Sequence, residues 1–254
     1  MNTQPHPAKD VSAEALSQWV RTRRSVRDFA TTPIPQALLD AVLADANHAP
    51  SWSNTQPYRI AVASGPVRDR LARDLSGRFD KGMAAQNGGW LGKAKLLLTR
   101  DGLPDGDYTV NFEYPQDLQP QRRATGHGLY QLLRIGRKDH AAREAQMRRN
   151  FEFFGAPTAI FVFVHGGLGP FSALDAGIYI QTLMLSAHAH GLGTCAQGAL
   201  ATWGGPVRAA FDVPKHYKLL CGLSIGYASD HAVNLYNPGR QPATDLQLPT
   251  SLSF

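Results

Sequence analysis

Apolar residues recur at three- and four-residue intervals in several stretches of this chain and run almost unbroken in others. Leu16, Trp19 and Val20, with Arg23, fall on one amphipathic helix that ends near Ser25. Pro35 is a favoured first-turn residue, and Leu38, Leu39, Val42, Leu43 and Ala46 behind it form the stripe of a second helix, with Pro50 beyond its end. Tyr58-Arg59-Ile60-Ala61-Val62-Ala63 reads as a strand, and Ser64 is placed to cap a helix through Val67, Leu71 and Leu75. Helical spacing returns over 123–135 and again over 139–153. Thr158-Ala159-Ile160-Phe161-Val162-Phe163-Val164, apolar at nearly every position, predicts a strand buried on both faces. Ser172, with Asp175 three residues on, predicts a capping box. The helix behind it carries Ile178, Leu183, Leu185 and Ala189 and stops at Gly191. Leu219 to Tyr227 is the last clear strand.

Residues 77–122 break this regularity, with glycines from Gly77 to Gly106, with Pro104, Pro115 and Pro120, and one apolar run, Leu96-Leu97-Leu98. The segment reads as an irregular lid or dimer-wrapping arm, because Trp90, Tyr108, Phe112 and Tyr114 give it something to bury. A linker between two domains is the alternative. Residues 228–254 hold several prolines and little periodicity, and read as a C-terminal extension that wraps a partner subunit or dangles. Helices, strand, helix, arm, helices, strand, long helix, strand is an α+β order, not the regular alternation of a doubly wound sheet. Residues 10–254 are expected to form one domain.

Composition adds limits. With 254 residues, 43% hydrophobic and 18% charged, the chain has the make-up of a soluble protein with a sizeable core. No apolar run reaches membrane-spanning length, and residues 1–10 hold no apolar signal-peptide core, so a cytoplasmic location is expected. The net charge of +6 reads as a modestly basic surface or, more sharply, as attraction for anionic ligands such as phosphates, dinucleotides or carboxylates; the basic residues are scattered, without a helix-turn-helix, zinc-finger or RNP signature, which argues against a nucleic-acid partner. Two distant cysteines, Cys195 and Cys221, read as small buried apolar residues. His188 and His190 have no third ligand, so no metal site is expected, and Gly166-Gly167-Leu168-Gly169 lacks a full phosphate-loop pattern.

Two short segments carry the candidate chemistry. Arg23-Arg24-Ser25-Val26-Arg27-Asp28-Phe29 places three guanidiniums and a hydroxyl in five residues. On a helical segment Arg23 and Arg27 would share a face and grip one phosphate, or simply form a solvated basic helix end. Ala49-Pro50-Ser51-Trp52-Ser53-Asn54-Thr55-Gln56-Pro57 is a proline-bounded loop of hydroxyls and amides, suited to the edge of a polar planar ring or to an ordinary surface turn.

In that order the two segments resemble the opening of the FMN-dependent nitroreductase family. Three later stretches agree: Asn150-Phe151-Glu152-Phe153-Phe154-Gly155-Ala156-Pro157, Gly191-Leu192-Gly193-Thr194-Cys195-Ala196-Gln197-Gly198-Ala199-Leu200, and Gly226-Tyr227 followed by Arg240. The resemblance spans about residues 15–242 and is closest to the branch acting on nitrobenzoates and other nitroaromatics. It implies a three-layer α-β-α fold with a central mixed sheet and an intertwined homodimer with FMN at the subunit interface. Arg23, Arg24, Ser25, Arg27 and Arg240 would then hold the FMN phosphate and ribityl chain. Pro238 stands where the family often has a lysine, so the grip leans on the arginines. Pro50, Ser51, Trp52, Ser53 and Asn54 would line the flavin, with Asn54 or Gln56 contributed across the dimer interface. Asn150 would meet the pyrimidine edge beside Gln197, and the backbone of Gly198 and Ala199 would face flavin N5. Trp52, Phe112, Tyr114 and Phe153 would line the substrate pocket. The implied activity is two-electron, ping-pong reduction of nitroaromatics by NAD(P)H, with NADPH slightly favoured by the basic residues of the arm. Flavin, quinone or enone reduction on the same fold is the alternative.

Overall fold

The computed structural model describes residues 12–100, 102–110 and 113–251. In chain order the elements are α1 (Ala13–Thr22), α2 (Gln36–Ala46), β1 (Tyr58–Ser64), α3 (Gly65–Asn87), α4 (Gly89–Thr99), α5 (Gln119–Leu132), α6 (His140–Arg148), β2 (Thr158–His165), α7 (Pro170–Ala189), β3 (Gly193–Gln197), α8 (Gly204–Ala210) and β4 (Tyr217–Gly226). The strands form one sheet in the order β1-β2-β4-β3.

The pleat of β2 divides the interior in two. Ala159, Phe161 and Phe163 face a core filled by Leu71, Leu75 and Phe79 of α3, Val207 of α8, and Phe151, Phe153 and Phe154. Ile160, Val162 and Val164 face the opposite core, filled by Leu39, Val42 and Ala46 of α2 and by Tyr179, Ile180, Leu183 and Ala187 of α7. The sheet is thus the middle of three layers. On β4 the facing parity changes: Leu219 joins the first core, Leu223 and Ile225 the second. A register shift at Val162/Phe163, where Cys221 and Leu219 are the successive partners, inserts the extra residue that causes this. A mixed sheet was expected; every strand pair is antiparallel, and the parallel contact is an isolated bridge between Ser25 and Thr194.

The predicted β1, β2, last strand and long helix are present, but several expectations change. Residues 77–122 are far more regular than their glycines suggested. α3 runs to Asn87, α4 follows directly, and α5 begins at Gln119. Gly92 lets the two helices touch: a Cβ there would lie 2.7 Å from the Ala85 carbonyl oxygen. The segment after α4 is tied down, since the N–H groups of Asp105 and Gly106 both donate to Thr202 O at 3.1 Å. Asp107 accepts from Leu219 N at 2.7 Å and pairs with Arg208 at 2.6 Å. The predicted 139–153 helix stops at Arg148, because Phe153, Phe154 and Gly155 at φ 57°, 55° and 84° reverse the chain. Arg68 fastens that reversal by donating to Glu152 O and Ala156 O, both at 2.8 Å. Ser172 is not a cap. α7 already begins at Pro170, behind Gly169 at φ 55°, and the Ser172 hydroxyl donates to His165 O and Gly169 O at 2.9 Å. Ser64 stands at the N-cap of α3 but makes no side-chain cap bond; its hydroxyl pairs with that of Thr158 at 2.9 Å.

Candidate active site

α1 ends at Thr22, and residues 23–27 are extended rather than helical, with Arg23 at ψ 132°. They run beside β3, where Val26 N donates to Thr194 O at 2.9 Å. Val26 turns inward over Gly193, where a Cβ would meet its methyl at 2.5 Å. Strand alternation therefore puts Arg23, Ser25 and Arg27 together on the face opposite Val26. The sequence placed Arg23 and Arg27 on one face by a helical argument; the extended chain does so by a different period.

Arg23 is half-buried, and its guanidinium is pushed below its ordinary basicity, first by loss of water and second by the positive charge of Arg240. Arg240 reaches this place from the turn at Gly239, φ 72°. Among the described residues, none of Arg23, Arg24, Arg27 and Arg240 belongs to an ion pair. Like charges gathered without a counter-charge make a site for an anion.

Next to it lies a polar knot that the sequence did not reveal. Arg27 N donates to Asn234 Oδ1 at 2.8 Å, and Asn234 Nδ2 donates to Asp28 O at 2.7 Å. The Asp28 carboxylate accepts from Arg149 at 2.6 Å and from the Ser229 hydroxyl. Burial pushes its pKa upward, but the bonds from Ser229 and Arg149 outweigh that and hold the carboxyl below its usual range. The knot ties residues 27–29 to the start of the C-terminal segment and to the turn at 149–155.

At the far end of β3, Gln197 is 3% exposed, donates to Asn150 O at 2.8 Å, and accepts from the Ser224 hydroxyl. Both ends of its amide are used inside the protein. Gln197 therefore positions Asn150, in place of the direct cofactor contact expected of it. Asn150 stays half-buried, its Nδ2 donating to Met147 O at 3.0 Å. Gly198 follows, exposed, and a Cβ there would meet nothing within 4 Å; Ala199 beside it is half-buried.

The loop of residues 50–57 is strained. Ser53, Asn54 and Gln56 take φ of 49°, 54° and 41°, a left-handed conformation that costs non-glycine residues energy and gathers at functional sites. Trp52 N donates to the buried carboxylate of Asp175 at 3.1 Å, and Gln56 N donates to Ser51 Oγ at 3.0 Å. Pro50, Ser51 and Trp52 border a cleft of about 360 Å³ closed by Phe171, Leu174, Asp175 and Ile178 of α7. The Trp52 ring meets Phe171 edge-on at 4.4 Å. Among the described residues, no hydrogen bond or ring contact joins this loop to the group around Arg23, Arg240 and Gln197.

Of the residues expected to line a substrate pocket, Trp52 and Tyr114 are exposed, and Arg122 lies over the Tyr114 ring at 5.1 Å. Phe153 is 0% exposed, with Phe161 at 6.0 Å and Arg68 at 5.4 Å from its ring, so it is core and not pocket wall. Phe112 lies outside the described residues. Among the described residues there is no group of three or more metal-ligating side chains, and no helix is long and apolar enough to cross a membrane.

The sequence model of the Nitroreductase family matches residues 20–227, and the chain belongs to that family. Nitroreductase NfnB of Mycolicibacterium smegmatis is 34% identical over 246 residues, covering 95% of this chain and 94% of the relative. A 4-nitrobenzoate reductase of Nocardioides sp. is 32% identical over 231 residues, covering 90% of this chain and 87% of the relative. Among solved structures, the FMN-dependent nitroreductase NfnB from Mycobacterium smegmatis in complex with NADPH superposes with a TM-score of 0.79 at 32% identity, over 94% of this chain and 99% of that one.

Proposed function

We propose that the protein is an FMN-dependent NAD(P)H nitroreductase acting on nitroaromatic compounds. The observation that carries this reading is the uncompensated cation pair Arg23 and Arg240 at the end of β3, set in a family member with FMN- and NADPH-associated relatives. The donor set fits FMN. Arg23, Arg27, Arg240 and the Ser25 hydroxyl, gathered on one face, would hold the phosphate and ribityl chain, while Arg24 falls on the Val26 face of the extended segment. Asn150, held by Gln197, would meet the pyrimidine edge. The backbone N–H groups of Gly198 and Ala199 offer donors to the ring, at a point where no side chain intrudes on Gly198.

FMN, when bound, supplies the two-electron carrier between the nicotinamide coenzyme and the nitro group. The chain's own residues bind and orient. The balance is a nitro compound plus NADPH and a proton giving the nitroso compound, NADP⁺ and water. A second equivalent of NADPH and a proton gives the hydroxylamine.

The loop of residues 50–57 would complete the site from a second copy of the chain. That no hydrogen bond or ring contact joins it to the Arg23 group among the described residues supports that reading, as do the exposed Leu16, Trp19 and Val20 of α1 and Phe171 and Leu174 of α7. A cytoplasmic location suits a consumer of reduced coenzyme whose two cysteines are free thiols. The test is an absorbance spectrum of the purified protein with anaerobic addition of NADPH and then 4-nitrobenzoate, alongside light scattering for mass. A yellow dimer that bleaches and regains its colour is the expected result. A monomer that takes up no FMN refutes the proposal.

A further inference from the structure

A second concavity, of about 1160 Å³, lies between α5 and α6, away from the Arg23 cluster. Arg122, Arg123, His127, Tyr130, Arg137 and Arg143 line it, and among the described residues no aspartate or glutamate does. Among the described residues none of these four guanidiniums is ion-paired. Two of them are held in place. Arg143 lies over the Tyr130 ring at 4.9 Å and donates to Arg137 O at 3.2 Å, and Arg122 lies over Tyr114 at 5.1 Å. Guanidiniums stacked on aromatic faces keep their forks oriented, so less freedom is lost when they meet a planar or tetrahedral anion. Arg123 is exposed, and its guanidinium, like that of Arg137, makes no hydrogen bond or ring contact among the described residues.

The cleft reaches the neighbourhood of Asn150 at one point, Met147. Met147 lines it, the Met147 carbonyl accepts from Asn150 Nδ2 at 3.0 Å, and the Asn150 carbonyl accepts from Gln197 at 2.8 Å. A ligand with one end at Asn150 and the other in the cleft must be long and anionic at its far end. A single-ring nitroaromatic such as a nitrobenzoate is too short to span both. A nicotinamide coenzyme has the required length, and its adenosine end carries the phosphates. Resting on the nitroreductase reading, we propose that the α5–α6 cleft is the adenosine-phosphate subsite of the coenzyme. Its arginines receive the 2′-phosphate that distinguishes NADPH from NADH. The pyrophosphate is common to both coenzymes, so the 2′-phosphate is the group through which this excess of cations can choose between them.

The test compares the wild-type holoenzyme with the Arg123→Ala/Arg137→Ala double variant, by calorimetric titration with 2′,5′-ADP, with ADP and with inorganic phosphate. Neither guanidinium has a partner among the described residues, so circular dichroism and FMN content should match the wild type. The expected result is that 2′,5′-ADP binding weakens about tenfold in the variant while ADP binding moves by less than about twofold. The NADPH-to-NADH ratio of kcat/KM should fall in parallel. Equal weakening of ADP and 2′,5′-ADP would assign the cleft to the pyrophosphate and overturn the proposal, as would binding of inorganic phosphate as tight as that of 2′,5′-ADP. An unchanged ratio and unchanged titrations overturn it as well. Loss of the nitroreductase reading would look different: a wild type with no FMN and no oxidation of either coenzyme, whatever the titrations give.

Discussion

Asp175→Ala tests how the strained loop is held. Asp175 is 3% exposed on α7 and accepts the Trp52 N–H at 3.1 Å, immediately before the three left-handed residues Ser53, Asn54 and Gln56. Each such residue costs on the order of 1 kcal/mol or more, so the loop keeps its shape only while its anchors outweigh that strain. The other anchors are the Ser51 hydroxyl on Gln56 N and the turn bonds from Asn54 N to Ser51 O and Thr55 N to Trp52 O. A hydrogen bond to a charged acceptor contributes roughly 1.5–3 kcal/mol, and Asp175→Ala also leaves the Trp52 N–H without its acceptor. A loss of about 2 kcal/mol in loop order corresponds to roughly thirtyfold weaker binding of any ligand that needs the ordered loop. Asp175→Asn keeps an oxygen in place without the charge and should fall between the two. The assay is FMN titration of the apoprotein by fluorescence quenching, with hydrogen exchange on the peptide covering residues 50–57. Faster exchange there and a large rise in the FMN dissociation constant are expected. FMN affinity within about twofold of wild type, with unchanged exchange, would show that Asp175 does not hold the loop.

Arg23→Ala and Arg240→Ala should each weaken FMN retention by about tenfold or more with little change in melting temperature, and together by more; full flavin occupancy in both variants refutes their assignment. Asp28, whose carboxyl is held low by Ser229 and Arg149 against the pull of burial, adds stability that is fully present above the unfolded carboxylate value of about 3.9 and is lost as the pH falls through the lower folded value. Asp28→Asn should therefore lose stability at pH 7 and flatten the acid side of the profile, read by denaturant melts from pH 7 to 3; parallel profiles contradict this. Burial pushes the Cys195 thiol up to about 11 despite nearby Arg27 and Arg23. At pH 8 the thiolate is then about one part in a thousand, and iodoacetamide should leave Cys195 unmodified in peptide mapping of the native protein; alkylation at the rate of a free thiol would contradict that burial.

Much of the frame was legible in the residue order. β2 announced itself because both faces of a central strand are buried, and seven of its eight residues are. The stripe of α2, the stop at Gly191 with φ 76° and the family segments were equally readable, since each depends on near neighbours in the chain. β3 was not predicted as a strand, because Gly193-Thr194-Cys195-Ala196-Gln197 has no apolar alternation and is fixed by pairing with β4 and by the chain beside it. The glycines of 77–122 suggested irregularity, but Gly88 and Gly92 serve the close contact of α3 and α4, which depends on a neighbour that local pattern cannot show. Ser172 and Asp175 had the spacing of a cap, yet one bonds back to β2 and the other reaches across 123 residues to Trp52. Gln197 looked like a ligand contact, and the buried Ser224 and the Asn150 carbonyl claimed its amide. Periodicity and capping are local energies and can be read along the chain. Which polar group satisfies which, and whether two cations meet, depends on distances between segments far apart in sequence, and those are set when the two cores close on the sheet.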